Sequence, residues 1–239
     1  MSRCLTALLT AAALGLTACG RDDDGEPVRE ARTTPTVTAP TTTPTAPEGC
    51  RAVQAPEPRE QPELEAPKSA LDRRRQWTVT LRTSCGTLRI RLDVKGSPKT
   101  ASSFAALVRR GFYDGLTFHR IGRAPDGGDF VVQGGDPLGD GQGGPGYSVV
   151  EKPDAGRRYR RGVVAMAKTQ LEEPGTSGSQ FFIVTAKDAG LPPEYAVAGE
   201  VVGSEAALDR IADVEADPST ERPTAPVVIE DAELSSSRG

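Results

Sequence analysis

The chain of 239 residues contains one histidine, His119, one tryptophan and four cysteines, and aromatic residues make up only 5% of it. A single histidine and the lack of any Cys-x-x-Cys pair leave no cluster with metal-ligand spacing, so neither metal nor cofactor is expected. A Ser-His-acid hydrolase would have to use His119 as its base. That residue lies in Phe118-His119-Arg120-Ile121, where strand alternation puts Phe118 and Arg120 on one face and His119 on the other. Gly175-Thr176-Ser177-Gly178-Ser179 misses the nucleophile-elbow spacing, because Ser179 stands where the closing glycine belongs. Gly141 to Gly144 is followed by no phosphate-loop lysine. An excess of positive charge is also lacking: 29 Lys and Arg against 33 Asp and Glu give a net charge of −4, which argues against a nucleic-acid partner and a polybasic membrane patch. The one basic run, Arg73-Arg74-Arg75, reads as the solvated end of a linker.

Long apolar runs are confined to the start. Arg3 precedes Leu5 to Leu16, and small residues lead into Cys19, the pattern of a signal peptide. The run is too short to cross a bilayer comfortably, which takes about 20 residues. The cysteine after the small residues resembles the lipobox of bacterial lipoproteins, implying cleavage before Cys19 and lipidation of that residue; several acyl chains anchor a domain stably. The expected product is an exported protein, lipid-anchored to the cell membrane on its extracytoplasmic side. With Cys4 removed and Cys19 lipidated, Cys50 and Cys85 remain in a compartment where disulfides persist. They form either a bridge that pins the linker or two free thiols.

From Gly20 to about Asp72 the chain reads as a tether. Thr33 to Pro47 holds eight threonines and four prolines, and such a composition cannot bury enough area to order itself. The segment from about Gly49 to Leu71 lies against the domain if the Cys50 bridge forms. The expected division is a signal peptide at 1–18, a disordered lipidated tether at 19–72, a folded domain at 73–233 and a polar tail at 234–239.

Trp77, Val79 and Leu81 alternate, Cys85-Gly86 makes a turn, and Leu88, Ile90 and Leu92 alternate again, which predicts a hairpin with one buried face. Phe104, Leu107 and Val108 mark a helix that starts near Pro98 and ends at Gly111. Short strands follow around Phe130–Val132, Gly162–Ala167, Phe181–Thr185 and Tyr195–Val202. A second helix runs from Ser204 to about Ala212 with Ala207, Leu208 and Ile211 inward, and Val227–Ile229 supplies a last strand. Pattern alone gives an all-β or α+β barrel-like domain of about 160 residues, enough for one core.

Four runs then carry a family resemblance: Phe112-Tyr113-Asp114-Gly115 leading to Phe118-His119-Arg120, Phe130 through Asp136, Gly162 through Ala167, and Gly178-Ser179-Gln180-Phe181-Phe182-Ile183. In this order and spacing the chain resembles a cyclophilin from about Trp77 to Ile229. The resemblance implies a mainly β fold, a closed eight-stranded antiparallel barrel capped by two α-helices, and peptidyl-prolyl cis/trans isomerase activity. It implies Arg120 as the catalytic residue, and Phe130, Val131, Gln133, Ala167, Lys168, Gln180, Phe182, Leu191 and Tyr195 as substrate-binding residues. The partners it implies are proline-containing peptides and unfolded exported proteins, met by a monomeric catalytic domain. The chain departs from the pattern where the family has a tryptophan (here Gly190), a methionine (Val131), an asparagine (Lys168) and a pocket phenylalanine (Ala198), and in a longer excursion from Ile121 to Asp129 near the pocket. The altered pocket at Val131, Gly190 and Ala198 motivates a second reading, a proline-peptide binding module with little turnover.

Overall fold

The computed structural model describes residues 46–238; the signal-like segment and Cys19 lie outside the described residues. Strands β1 (Arg75–Thr83) and β2 (Gly86–Leu92) form the expected hairpin. Val79, Leu81, Leu88 and Ile90 are fully buried while Arg89 and Arg91 face solvent, which is the period of two turned into a half-buried sheet. Its turn needs Gly86, whose φ of 112° is closed to residues with a Cβ.

Helix α1 (Pro98–Arg109) begins with proline at its first turn, where the missing N–H is no loss. Ser97 makes no side-chain cap. The carboxylate of Glu151 instead accepts the N–H groups of Lys99 and Thr100 at 3.1 and 2.8 Å, satisfying donors that a helix leaves unpaired. Helix α2 (Glu205–Ala212) buries Ala207, Leu208 and Ile211, as its spacing predicts, together with Ala212.

Between the helices lie β3 (Phe118–Arg123), β4 (Asp129–Gly134), β5 (Val149–Val150), β6 (Val163–Met166), β7 (Thr176–Ser177), β8 (Phe181–Val184) and β9 (Val197–Val201), and β10 (Ile229–Arg238) follows α2. Eight of them form one sheet in the order β10-β1-β2-β9-β6-β8-β4-β3, and β5 pairs with β7 in a second small sheet. The main sheet is antiparallel throughout, with α1 against β9 and β10 and α2 against β2 and β4.

The closed barrel expected from the resemblance is not formed. Strands β10 and β3 are the two edges of an open half-barrel. No continuous ladder joins these edges: the chain leading into β3 meets the start of β10 at the isolated bridge Thr117–Val228, with Gly115 N–H donating to Ile229 O, Ile229 N–H to Leu116 O and Phe118 N–H to Val227 O. The segment that would extend this contact into a ladder contains Pro223 and Pro226, which have no N–H to donate, and it is folded back on itself through a bridge between Ala216 and Pro223.

Strand β10 also overruns the polar tail expected at 234–239, because Leu234 to Arg238 pair with Val79 to Arg75. Serines 235–237 carry no apolar periodicity, so only the partner strand defines this part of the sheet. Residues 46–72 hold no helix or strand, and from Cys50 to Leu71 they form a strap along the domain, the course expected for this segment if the Cys50 bridge forms. Cys50 is disulfide-bonded to Cys85, Arg59 and Leu64 donate N–H to Pro137 O and Pro145 O, and buried Leu71 donates to Ser102 Oγ at 2.9 Å.

At β6 and β8 the sheet buries both faces. The concave side packs Phe104, Tyr113, Phe118 and Phe181 with ring centroids 5.0 to 5.8 Å apart, within the range of favourable tilted and edge-to-face contacts. Across the sheet, a smaller cluster of Val131, Tyr159, Ala165, Phe182 and Val197 underlies the site.

Candidate active site

Arg120 reaches the outer face through a β-bulge. Phe118 pairs with Gly134 and Arg120 with the adjacent Gln133, so the register shifts across His119. An extra residue of this kind re-aims the side chains beyond it. The alternation reading that put Phe118 and Arg120 on one face is therefore corrected: Phe118 packs in the core against Phe181, whereas Arg120 stands outside beside Phe130 and Phe182.

Arg120, Phe130, Val131, Gln133, Ala167, Lys168, Phe182, Leu191 and Tyr195 line one cavity of about 200 Å³. Phe181 and Phe182, adjacent in β8, serve the two sides of the sheet, both below 5% exposure. Tyr195 meets Phe182 edge-on at 5.3 Å. Behind them the buried Tyr159 hydroxyl donates to Tyr195 O at 2.7 Å and accepts Tyr195 N–H at 2.9 Å, which fixes the backbone of the rim. Burial pushes the Tyr159 phenol up from its usual value.

Gln180 lies outside this lining but in series with it. Arg120 Nη1 donates to Gln133 Oε1 at 3.2 Å, Gln133 Nε2 donates to Gln180 Oε1 at 3.0 Å, and Gln180 Nε2 donates to Gly141 O and Gly143 O, each at 2.9 Å. A chain in which each amide donates and accepts holds its members in one orientation. On its other edge, Arg120 Nε donates to Glu221 Oε2 at 2.5 Å. Nη2 has no hydrogen-bond partner among the described residues, and a Cβ added at Gly122 would stand 3.1 Å from it and 3.3 Å from the Phe130 ring. Glycine at 122 thus leaves the guanidinium its place.

The Lys168 side chain is 4% exposed, and such burial of a lysine requires partners. Its Nζ donates to Thr169 O and Glu172 O at 3.2 Å, pairs with Glu194 at 3.4 Å and lies 5.7 Å from the centre of the Tyr195 ring. A second cavity of about 470 Å³ shares Gln133, Ala167 and Lys168 with the first and is bordered on its far side by Gln61 of the strap, whose Oε1 accepts Gly144 N–H at 3.2 Å.

Two expectations about the rim are changed. Ala198 belongs to the concave core, and its neighbour Val197 packs under the cavity, so loss of a ring at 198 does not open the pocket. The run from Ile121 to Asp129 largely continues β3 and β4, turns at residues 124–128, and is tied by Arg123 to Asp129 at 2.8 Å and to Ala212 O at 2.6 Å. Gly190 caps a turn at φ 63° with open space where a side chain would be.

His119 faces a different cavity, of about 570 Å³, bordered by Pro56 and Pro58 of the strap, Asp136 and Arg222. Burial holds its pKa below the usual imidazole value, and the charges of Arg222 and Arg120 act in the same direction against those of Asp136 and Asp140. The ring is uncharged at neutral pH and turned away from the Arg120 cavity, which therefore contains no general base of the hydrolase type. Gly122, Tyr159 and Glu221 had no sequence signal that tied them to this site; Glu221 is separated from Arg120 by 101 positions.

The site is an apolar-walled notch beside one guanidinium held on two edges, with no nucleophile and base in contact among its lining residues. The matches to known proteins give this site its family. The model of the cyclophilin type peptidyl-prolyl cis-trans isomerases matches residues 78–234. Peptidyl-prolyl cis-trans isomerase B of Streptomyces anulatus is 36% identical over 174 residues, 65% of this chain and 94% of its own. Peptidyl-prolyl cis-trans isomerase A of Mycobacterium tuberculosis is 35% identical over 176 residues, 66% of this chain and 92% of its own. The crystal structure of a cyclophilin type isomerase from Cryptosporidium parvum superposes with a TM-score of 0.60 at 30% identity, over 68% of this chain and 99% of that one. The chain belongs to the cyclophilin-type peptidyl-prolyl cis-trans isomerase family and is an isomerase enzyme.

Proposed function

We propose that the chain speeds rotation about X-Pro bonds by seating the prolyl ring between Phe130, Val131, Phe182 and Leu191 while Arg120 stabilises the twisted amide. Resonance in the C–N bond sets an uncatalysed barrier of about 18–20 kcal/mol, and exchange takes tens to hundreds of seconds. Rotation breaks that conjugation and leaves a lone pair on the prolyl nitrogen. A guanidinium N–H directed at this nitrogen interacts with it more strongly in the twisted state than in either planar one, which is the condition for acceleration. Arginine suits the role because it stays charged and its planar head can be held on two edges while a third acts. The observation that carries the proposal is the pair of contacts to Gln133 and Glu221, which leaves Nη2 without a hydrogen-bond partner among the described residues, on a side chain that lines the apolar-walled cavity.

A crystal structure of the Cryptosporidium protein was determined in the presence of the dipeptide Ala-Pro, and a ligand of that size fits a notch of about 200 Å³. The expected result is that a catalytic amount of the protein merges the cis and trans resonances of a short X-Pro peptide in exchange NMR. Saturable peptide binding with no gain in exchange rate would overturn the proposal and favour a binding module.

The proposed setting is the outer side of the cell membrane, with unfolded exported proteins as substrates and a lipid on Cys19 as the anchor of a monomer. The apolar run ending in small residues before Cys19 supports the anchor, and a cystine between Cys50 and Cys85 suits an oxidising compartment. Intact mass of the protein extracted from envelopes is expected to exceed that of the chain from residue 19 by a diacylglyceryl group with or without an amide-linked acyl chain. The unmodified mass would reject the anchor.

A further inference from the structure

Residues 213–224 form a small hairpin after α2 whose tip lies against Arg120. Asp217 N–H donates to Arg222 O at 2.9 Å, Thr224 N–H to Glu215 O at 2.8 Å, and Glu221 N–H to Asp217 O at 2.7 Å. The Asp217 carboxylate closes the tip by accepting the N–H and hydroxyl of Ser219 at 2.9 and 2.6 Å and those of Thr220 at 2.9 and 3.1 Å. These bonds, the Ser219 hydroxyl first, hold its pKa at about 2, so the tip keeps this form across the ordinary pH range. Two contacts dock it: Ile121 N–H donates to Glu221 O at 2.8 Å, and Arg222 Nη1 to Gly139 O at 3.3 Å.

Glu221 has φ 56°, the one non-glycine residue at positive φ among those described. A side chain there is disfavoured, and glycine or asparagine adopts the conformation more easily. What the glutamate adds is a carboxylate on Arg120 Nε. Both side chains are about one-third exposed, at 32% and 34%, and an ion pair that wet contributes little to stability. Strain kept at such a place points to function.

We infer that Glu221 is a positioning residue: presented by the Asp217 turn, its carboxylate fixes the Nε edge of Arg120 so that, with Gln133 on Nη1, the Nη2 edge is aimed across the cavity. The inference rests on the assignment of Arg120 made above. Without the carboxylate the guanidinium is held on one edge only, and the productive orientation becomes a fraction of its population.

E221G separates positioning from fold, because glycine relieves the backbone while deleting the carboxylate. In exchange NMR on an X-Pro peptide, E221G is expected to melt at or above the wild-type temperature and to lose about tenfold in kcat with KM within about twofold. E221Q, whose amide oxygen still accepts from Nε, is expected to recover most of the rate. The Arg120 Nε–H resonance should be sharp in wild type and E221Q and lost to water exchange in E221G. The double variant R120A/E221G should be no slower than R120A, since Glu221 acts through Arg120. A wild-type kcat in E221G beside an impaired R120A overturns the positioning role alone, as do losses that multiply in the double variant. A wild-type rate in R120A removes the Arg120 assignment and this inference with it.

Discussion

Arg120→Ala is expected to lower kcat/KM for an X-Pro peptide by at least about a hundredfold, or roughly 2.7 kcal/mol of transition-state stabilisation. Removing a single preorganised donor from a site where charge or a lone pair develops has effects of about 10² to 10³ elsewhere. Here no second donor replaces it: Gln133 Nε2 is committed to Gln180, and Lys168 Nζ to Thr169, Glu172 and Glu194. Stability should change little, because the Arg120 side chain is 32% exposed and the carboxylate it leaves is 34% exposed, so water solvates what the guanidinium held. Arg120→Lys retains the charge but not the fork. One ammonium cannot serve Glu221 and Gln133 on two edges and still present a third, so R120K should fall nearer to R120A than to wild type. Steady-state exchange rates with thermal melting decide the matter: a folded R120A within about threefold of wild type would show that ring burial alone carries the acceleration.

The residues gathered around Arg120 were legible because their types repeat a familiar order along the chain, whereas their orientations depended on contacts that a local pattern cannot register. Val79, Leu81, Leu88 and Ile90 show their buried face by alternation, and Ala207, Leu208 and Ile211 by helical spacing. Phe118 and Arg120 also alternate in sequence, but β3 is bulged at His119 because its partner offers Gly134 and Gln133 in succession. Alternation predicts faces only while the ladder is regular. The same limit applies at the ends of the sheet. Serines 235–237 look like a solvated tail until β1 pairs with them, and prolines 223 and 226 keep open a barrel that the strand count alone would close. Glu221 was hidden for a different reason: a carboxylate 101 residues away has no signature until the turn at Asp217 delivers it. Ala198 was misassigned by one position, which in a strand exchanges the core for the pocket.

The largest stability effect is expected from opening the Cys50–Cys85 bridge, which closes a loop of 35 residues. Limiting the unfolded chain by a loop of this size corresponds to about 3–4 kcal/mol in the chain-entropy model, or roughly 10 °C in melting temperature for a domain near 200 residues. Part of that stabilisation is visible as anchoring. Arg210 Nε of α2 donates to Cys85 O at 2.8 Å, Arg51 N–H donates to Ser84 O at 2.7 Å, and Arg51 pairs with Glu230, so the bridge gathers strap, hairpin turn and α2 at one point. Beyond it the strap is held by scattered contacts at Arg59, Gln61, Leu64, Glu65 and Leu71, since its prolines allow no ladder. Catalysis should respond far less. The strap contributes no residue to the Arg120 cavity and borders only the neighbouring one, through Gln61, and the separate His119 cavity, so C50A/C85A should melt well below wild type while keeping kcat/KM within about threefold at a temperature where both are folded. Paired melts with and without reductant, and rates on the same samples, test both halves. An unchanged melting temperature under full reduction would show that the strap's other contacts suffice to hold it. A rate that falls as steeply as R120A would mean that the strap orders the Gly139 to Gly146 loop, and through Gln180 and Gln133 the arginine itself.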